Sequence, residues 1–592
     1  MGPWKTVGGQ AAAGRDHDVP VWVGHDASER FPIYTRGNAG EVYPEVFTPL
    51  SFSVASEATE RAMRNALIGS GLVRRSELDG IPITTGVGSG VFGGYAYLNL
   101  SIQRLISARA LGGKATDADV NLLGVGEPPP HEPLPEERNL VATLAGVRSL
   151  WRTVRRHELP ELAEDQRRVD HYLGLLGDPT SSSDEELRRS IELLMPLFAD
   201  LFERHLEVSF AAGLVVAVLS SLCERQLDDP TLAVGLLAGL GDVDSAAPSK
   251  ALWDLGRLAN GSQRVTELFD DGVEGLTERL HEASGDDPDC KLFVDRFAAF
   301  VQRFGSRGPN EWDTAFDTWE TAPALALNLV DRMRAADESH DPSRQQQRLT
   351  QEAAELEAAA SARLAWPVRP LFRRVLAAAR LYSRGRERSK TTVIRAIHGA
   401  RLQSMELDRR LVERSGGQQG DLWFLLEDEL DGYLADPASY RSIIAERRAT
   451  HRALAERVPP FFFAGSQPPL EEWELRTATR AKLRPGDTIT GLPGCPGIAR
   501  GTARVVTDPG DPRGLRPGDV LVAPLTDPAW TPLFVPAEAV VVDVGAIMSH
   551  AVIVSRELGI PCVVSATEAT KRIADGAIIE VDGGRGTVTV VG

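Results

Sequence analysis

The sequence predicts a multidomain chain: a mainly α-helical domain at residues 1–463, a hinge at 464–490 and a small α/β domain at 491–592. Three observations carry that prediction. The chain has 592 residues, several times the roughly 150 of a common domain. From about Leu140 to Glu474, segments rich in Ala, Leu, Arg and Glu repeat apolar residues at three- and four-residue spacing, the period of a helix with one buried face. From Arg484 onward, short Val/Ile runs alternate with PGD, GCPG, DPGDP and DGG turns, the pattern of strands in a compact α/β unit.

Composition bounds the function. Hydrophobic residues at 42% and charged residues at 25% are globular values and exclude wholesale disorder. A net charge of -18 repels nucleic acid and anionic membrane, so neither is an expected partner. Cys223, Cys290, Cys495 and Cys562 lie far apart with no Cys-x-x-Cys pair. That pattern gives neither a zinc cluster nor a disulfide framework, so no metal is expected and a reducing cytoplasm is the expected compartment. The opening MGPWKTVGGQAAAGRDHD lacks the apolar core of a signal peptide. The uncharged stretch Val208–Cys223, closed by Glu207 and Glu224, is short for a membrane span and reads as a buried core helix.

Before Leu140, β-like runs such as YAYLNLS (95–101) mix with Gly and Pro. Gly88, Gly90 and Gly93 form a G-x-G-x-x-G, but a strand-like run follows where the dinucleotide fingerprint needs a helix, so the segment reads as a loop. In the helical stretch, Ser183 and Glu186 have capping-box spacing, and Arg386 and Lys390 share a helix face at i, i+4. The α/β unit offers strands at 502–506, 519–524, 539–544, 562–565, 578–582 and 587–591, with one clear helix, His550–Leu558. Gly559 and Pro561 stop that helix. A strand ending in Asp543 and the turn Gly545-Ala546 place Ser549-His550 at its first turn. Unpaired backbone N–H groups and the positive end of the dipole then face whatever His550 carries, which suits phosphate. Taken alone, such a His is more often a satisfied polar group at a helix start.

From Gly491 to Gly586 the string GLPGCPGIARGTARVV…LRPGDVLVAPLTDPAWTPLF…VDVGAIMSHAVIVSRELGIPCVV…ADGAIIEVDGGRGTV resembles, nearly end to end, the swivelling phosphohistidine domain of the phosphoenolpyruvate-utilising enzymes. That family includes phosphoenolpyruvate synthase, pyruvate phosphate dikinase, enzyme I of the sugar phosphotransferase system and rifampicin phosphotransferase. The resemblance implies that His550 is the phosphoryl carrier, with Ser549 and Gly545 supporting the phosphate. A phosphorylated imidazole splits one difficult transfer into two easier ones, and the domain swings on its linker between donor and acceptor sites. Two residues depart from the pattern. Ala546 replaces the second Gly of the turn, and Met548 stands where the dikinases carry Thr, which favours the rifampicin-phosphotransferase-like branch. Cys562 reads as a strand residue rather than a nucleophile.

Residues 38–53, with Asn38-Ala-Gly-Glu41-Val-Tyr-Pro44 and Thr48-Pro49-Leu-Ser51-Phe-Ser53, resemble the opening of the substrate-binding domain in rifampicin phosphotransferase. Residues 371–403 and 420–430 resemble its closing helices. Residues 1–463 are therefore expected to bind the acceptor, with Glu41 in the pocket and Arg386 and Lys390 at its border. There the two cations would neutralise charge on transferring phosphoryl oxygens; the plain alternative is a solvated basic helix paired with Glu387. His398 is either a general base entering the pocket or a core or surface residue.

No ATP-grasp sequence and no Walker A motif is found. The resemblance then implies a split dikinase-type phosphotransferase. A separate ATP-grasp partner would hold ATP and Mg²⁺, this chain would bind no cofactor firmly, and His550 would pass the phosphoryl group to a small organic acceptor. The transfer would be the end product or would activate the acceptor for elimination or condensation. The alternatives are a phosphohistidine carrier that regulates a partner, and a catalytically silent scaffold.

Overall fold

The computed structural model describes residues 24–592 apart from 111, 124–127, 230–231, 241–246, 337, 339–340, 508–514, 527–529 and 546–548. A mainly helical region is followed by a small α/β domain at the C-terminus. The helical region opens on strand β1 (Ile33–Thr35) and helix α1 (Pro49–Gly69). The Thr48 hydroxyl accepts the Ser51 N–H and Pro49 stands at the first helical position, a start signal on both counts. This 21-residue helix lies before Leu140, where the sequence showed short β-like runs mixed with Gly and Pro; its small polar residues mask the helical period.

The glycine-rich segment folds as a hairpin of β2 (Ser89–Phe92) and β3 (Tyr95–Asn99). Gly93 and Gly94 take φ of 53° and 75° at its turn, a backbone that only glycine adopts cheaply. The glycines therefore serve a turn, and no helix follows β2 to receive a pyrophosphate.

Two long helices form the spine: α2 (Asp184–Leu227) and α4 (Arg369–Ser415), with α3 (Pro342–Arg363) between them in sequence. Ser183 and Glu186 cap α2 reciprocally. Val208, Ala212, Val215, Leu219 and Cys223 form one stripe of α2 that shares a core with Phe372, Val375, Leu376 and Ala379 of α4. Among the described residues α2 is the one helix long and apolar enough to cross a membrane by length and composition. A Cβ at Gly385 of α4 would lie 2.6 Å from the Leu159 side chain, so the α4 backbone is closely packed here.

Strand β4 (Phe462–Ala464) returns to β1, giving the antiparallel order β2-β3-β1-β4. Tyr34 and Phe463 stack across it at 5.2 Å. Trp473 remains buried beside Tyr95, whereas Lys482 and Leu483 already bond the backbone of Ile573 and Arg572 in the α/β domain. Residues 477–481 thus carry the chain from one body to the other, and Arg480 pairs with both Glu474 and Glu568.

The α/β domain comprises β5 (Thr488–Thr490), β6 (Leu492–Cys495), β7 (Ile498–Val505), β8 (Asp519–Ala523), β9 (Ala537–Val542), α5 (His550–Leu558), β10 (Cys562–Val564), β11 (Ile578–Asp582) and β12 (Thr587–Val590). Its sheet order is β6-β10-β9-β8-β7-β11-β12-β5. β7 to β10 are parallel and the flanking pairs antiparallel. β8 is buried along its whole length, as an interior parallel strand covered on both faces requires. Short helices at Thr531–Phe534 and Ala569–Arg572 join the single one expected. Trp530, Leu533, Phe534 and Leu558 merge into one core with Leu252, Trp253 and Leu327, so the α/β domain is docked on the helical region.

Candidate active site

His550 opens α5 just past the C-terminal end of β9, the edge where parallel sheets bind ligands. The Ser549 hydroxyl accepts the Val552 N–H at 3.4 Å and caps the helix. Two threonines flank the imidazole: Thr526 Oγ1 lies 3.1 Å from Nδ1 and Thr531 Oγ1 3.0 Å from Nε2. The Phe534 ring meets it edge-on at 5.9 Å. Gly545 acts from behind. A Cβ there would come within 3.0 Å of Val564, and its carbonyl accepts the Ser565 hydroxyl at 2.5 Å, so its role is close packing of the turn. Ala546 and Met548 lie outside the described residues.

The helical region supplies the opposite wall. Glu41, buried on a short helix near the N-terminus, accepts the His550 backbone N–H at 3.1 Å. Burial, and then the charges of Lys390, Arg307 and Arg386, hold the imidazole well below its usual range, so it is neutral. Each of these cations has a carboxylate partner. Lys390 Nζ lies 3.3 Å from Glu311, Arg307 Nε 2.7 Å from Glu311, and Arg386 3.0 Å from Glu387. Burial pushes Glu311 up, but Arg307 and Lys390 outweigh it and hold the carboxyl below the ordinary range.

Arg307 and Glu311 stand on an irregular loop at 305–320 that two elements pin. Asp313 accepts the Thr48 N–H at 3.1 Å and the Ser51 hydroxyl at 2.7 Å, both from the start of α1. Arg401 of α4 donates to the backbone carbonyls of Glu311 and Asp313. His398 bonds Glu320 through Nε2 at 2.9 Å and meets Arg401 through Nδ1 at 3.2 Å. An arginine can only donate, so Nδ1 is the acceptor and Nε2 carries the proton.

Glu41 therefore lies against the start of the His550 helix, and the charges of Arg386 and Lys390 bear on the imidazole. His398 is buried at the back of the loop, where Glu320 and Arg401 take its two ring nitrogens. Sequence reasoning missed Thr526, Thr531, Arg307 and Glu311. Thr531 stood inside the DPAWTPLF string; Arg307 and Glu311 were marked only by SRGPNEWD, a polar break in helical texture. A neutral imidazole with a lone pair, flanked by hydroxyls and faced by paired cations, can take up a phosphoryl group and release it. Among the described residues no group of three or more His, Cys, Asp and Glu is arranged to hold a metal ion.

Two family models match this architecture. The rifampicin phosphotransferase fourth domain matches residues 204–387, and the mobile domain of the PEP-utilising enzymes matches residues 515–586, which include His550, Thr526 and Thr531. The chain is 36% identical to an uncharacterised protein of Mycobacterium tuberculosis over 53% of its length and 33% of the relative's. It is 24% identical to the prodigiosin synthesizing transferase PigC of Serratia marcescens over 96% of its length and 64% of the relative's. A rifampicin phosphotransferase of Bacillus cereus is 33% identical over 29% of this chain and 19% of its own. The chain thus matches less than two thirds of each of these relatives. The chain is thus similar, over separate stretches, to a helical domain of rifampicin phosphotransferase and to the mobile domain of the PEP-utilising enzymes.

Proposed function

We propose that this chain is a phosphotransferase component in which His550 carries a phosphoryl group from an ATP-grasp partner to a small organic acceptor held by the helical region. The observation that supports it best is the neutral His550 imidazole at the start of α5, held between Thr526 and Thr531 and within the influence of the charges of Lys390, Arg307 and Arg386 from the helical region. On discharge the P–N bond breaks and its electron pair returns to the imidazole. A P–O bond forms to the acceptor oxygen, which gives up its proton. The three cations would stabilise the charge spread over the equatorial oxygens. Transfer is either the product-forming step or an activation for elimination or condensation. The likeness to a protein named as a synthesizing transferase keeps condensation in view. ATP and Mg²⁺ belong to the partner in this reading, and the compartment is the cytoplasm.

The test uses ATP labelled separately at the β and γ positions. The protein is incubated alone and with its ATP-grasp partner, and His550→Ala serves as control. The expected result is acid-labile β-label on the wild type only with the partner, and none on H550A. Label on H550A, or no label beside a partner shown to be active, would remove His550 as the carrier.

A further inference from the structure

The geometry points to Glu41 as a charge-reading latch: its carboxylate grips the His550 helix while His550 is bare, and opposes docking once His550 carries a phosphoryl group. This rests on His550 being the carrier, and on no other part of the proposed function; neither donor nor acceptor enters it.

The argument starts at the helix end. The first N–H groups of α5 have no partner within the helix. Ser549 Oγ takes that of Val552 and the Ser549 carbonyl that of Ile553. The His550 N–H is taken from outside, by Glu41 Oε2, a residue 509 positions away in the other body. A carboxylate on a helix N-terminus is stabilising, so the contact favours the docked arrangement.

The charge balance around this contact is close. Lys390, Arg307 and Arg386 face His550, and Glu311 and Glu387 pair with them. Glu41 brings the carboxylates to three against three cations around a neutral ring. A phosphoryl group adds about −1.5 to −2 charges. Both ring nitrogens belong to the residue whose N–H Glu41 holds, so the added charge arrives within one side chain's length of the carboxylate. Glu41 is buried, so the two repel more strongly than they would in open solvent.

Linkage makes the effect reciprocal. If phosphorylation weakens docking, docking raises the transfer potential of the phosphohistidine by the same factor. The docked carrier is then poised to discharge, and discharge restores the grip. Glu41 is in this sense a positioning residue, acting through the helix that His550 begins.

The experiment charges His550 chemically with phosphoramidate, which needs no partner protein. Docking is read by small-angle scattering and by amide exchange in residues 550–558 and 342–363, with His550→Ala as control. Labelling of H550A to the wild-type extent would show that the carrier reading has failed, and the latch with it. With His550 labelled, docking of the wild type is expected to weaken by about tenfold, inside the usual range for coupled sites. Glu41→Gln keeps an oxygen for the His550 N–H without the charge, so it is expected to remain docked when phosphorylated and to lose its phosphoryl group more slowly. Glu41→Asp keeps the charge and is expected to open as the wild type does, which provides a reading should E41Q fold poorly. A wild type that stays docked when charged, or an E41Q that opens as far as the wild type, would overturn the latch.

Discussion

Burial is the first cause of the low His550 pKa, and Lys390 leads the charges that lower it further. Lys390→Met leaves the α4 backbone and most of the side-chain volume in place, and Glu311 keeps Arg307 at 2.7 Å. The His550 pKa is then expected to rise, because one of the cations that disfavour imidazolium is gone. A ring-proton NMR titration, assigned by comparison with His550→Gln, checks it; an unmoved midpoint would show that Lys390 does not act on the ring. Discharge to an acceptor should slow on the order of 10²-fold, the usual cost of removing one preorganised group that stabilises transition-state charge. At this scale the sequence was informative where chemistry sits in a contiguous motif, as with His550 and its stop at Gly559. It was silent on Thr526 and Thr531, since no periodicity marks a loop hydroxyl that folds back on a helix start.

The elements differ in how plainly the sequence announced them. The strands of the α/β domain were legible because their Val/Ile runs are bounded by Gly/Pro turns, and β8 is almost pure hydrophobe. The long helices were legible through their stripes and the Ser183–Glu186 cap. The 305–320 loop was not, because its position depends on long-range bonds from α1 and α4 rather than on its own pattern. Asp313 is the pin: it is buried and accepts from the Thr48 backbone and the Ser51 hydroxyl. Asp313→Ala should therefore cost on the order of 3 kcal/mol, since hydrogen bonds to a charged group contribute about 1.5–3 kcal/mol each and their partners remain buried. Denaturant unfolding measures this. Because Glu311 lies two residues earlier, the same variant should also move the His550 midpoint; a stability loss with an unmoved midpoint would separate the loop from the site.

Across the whole molecule, docking of the α/β domain is tied to pH by two groups of opposite sign. Burial pushes Glu557 at the end of α5 up to about 7 from 4.5, with Arg556 opposing it only in part. Glu387 of the helical region adds to the rise and Leu240 opposes it, so part of the shift depends on docking. The docked state therefore holds a proton that the undocked state has already released between pH 4.5 and 7. Docking takes up that proton, so it is favoured by acid and weakens as pH rises toward 7. His550 runs the other way: its docked pKa is depressed, so its contribution is complete above the ordinary 6.5 and is lost as pH falls. Docking should accordingly be strongest in mildly acidic solution and fall off on both sides. Glu557→Gln removes the alkaline limb alone. At pH near 8 it is expected to dock more firmly than the wild type, by about 1–3 kcal/mol from the linkage between pKa and stability. The two proteins should converge as the solution is acidified. Scattering radius and amide exchange followed against pH give the comparison, and an E557Q profile that keeps the alkaline fall would place the titrating group elsewhere in the interface.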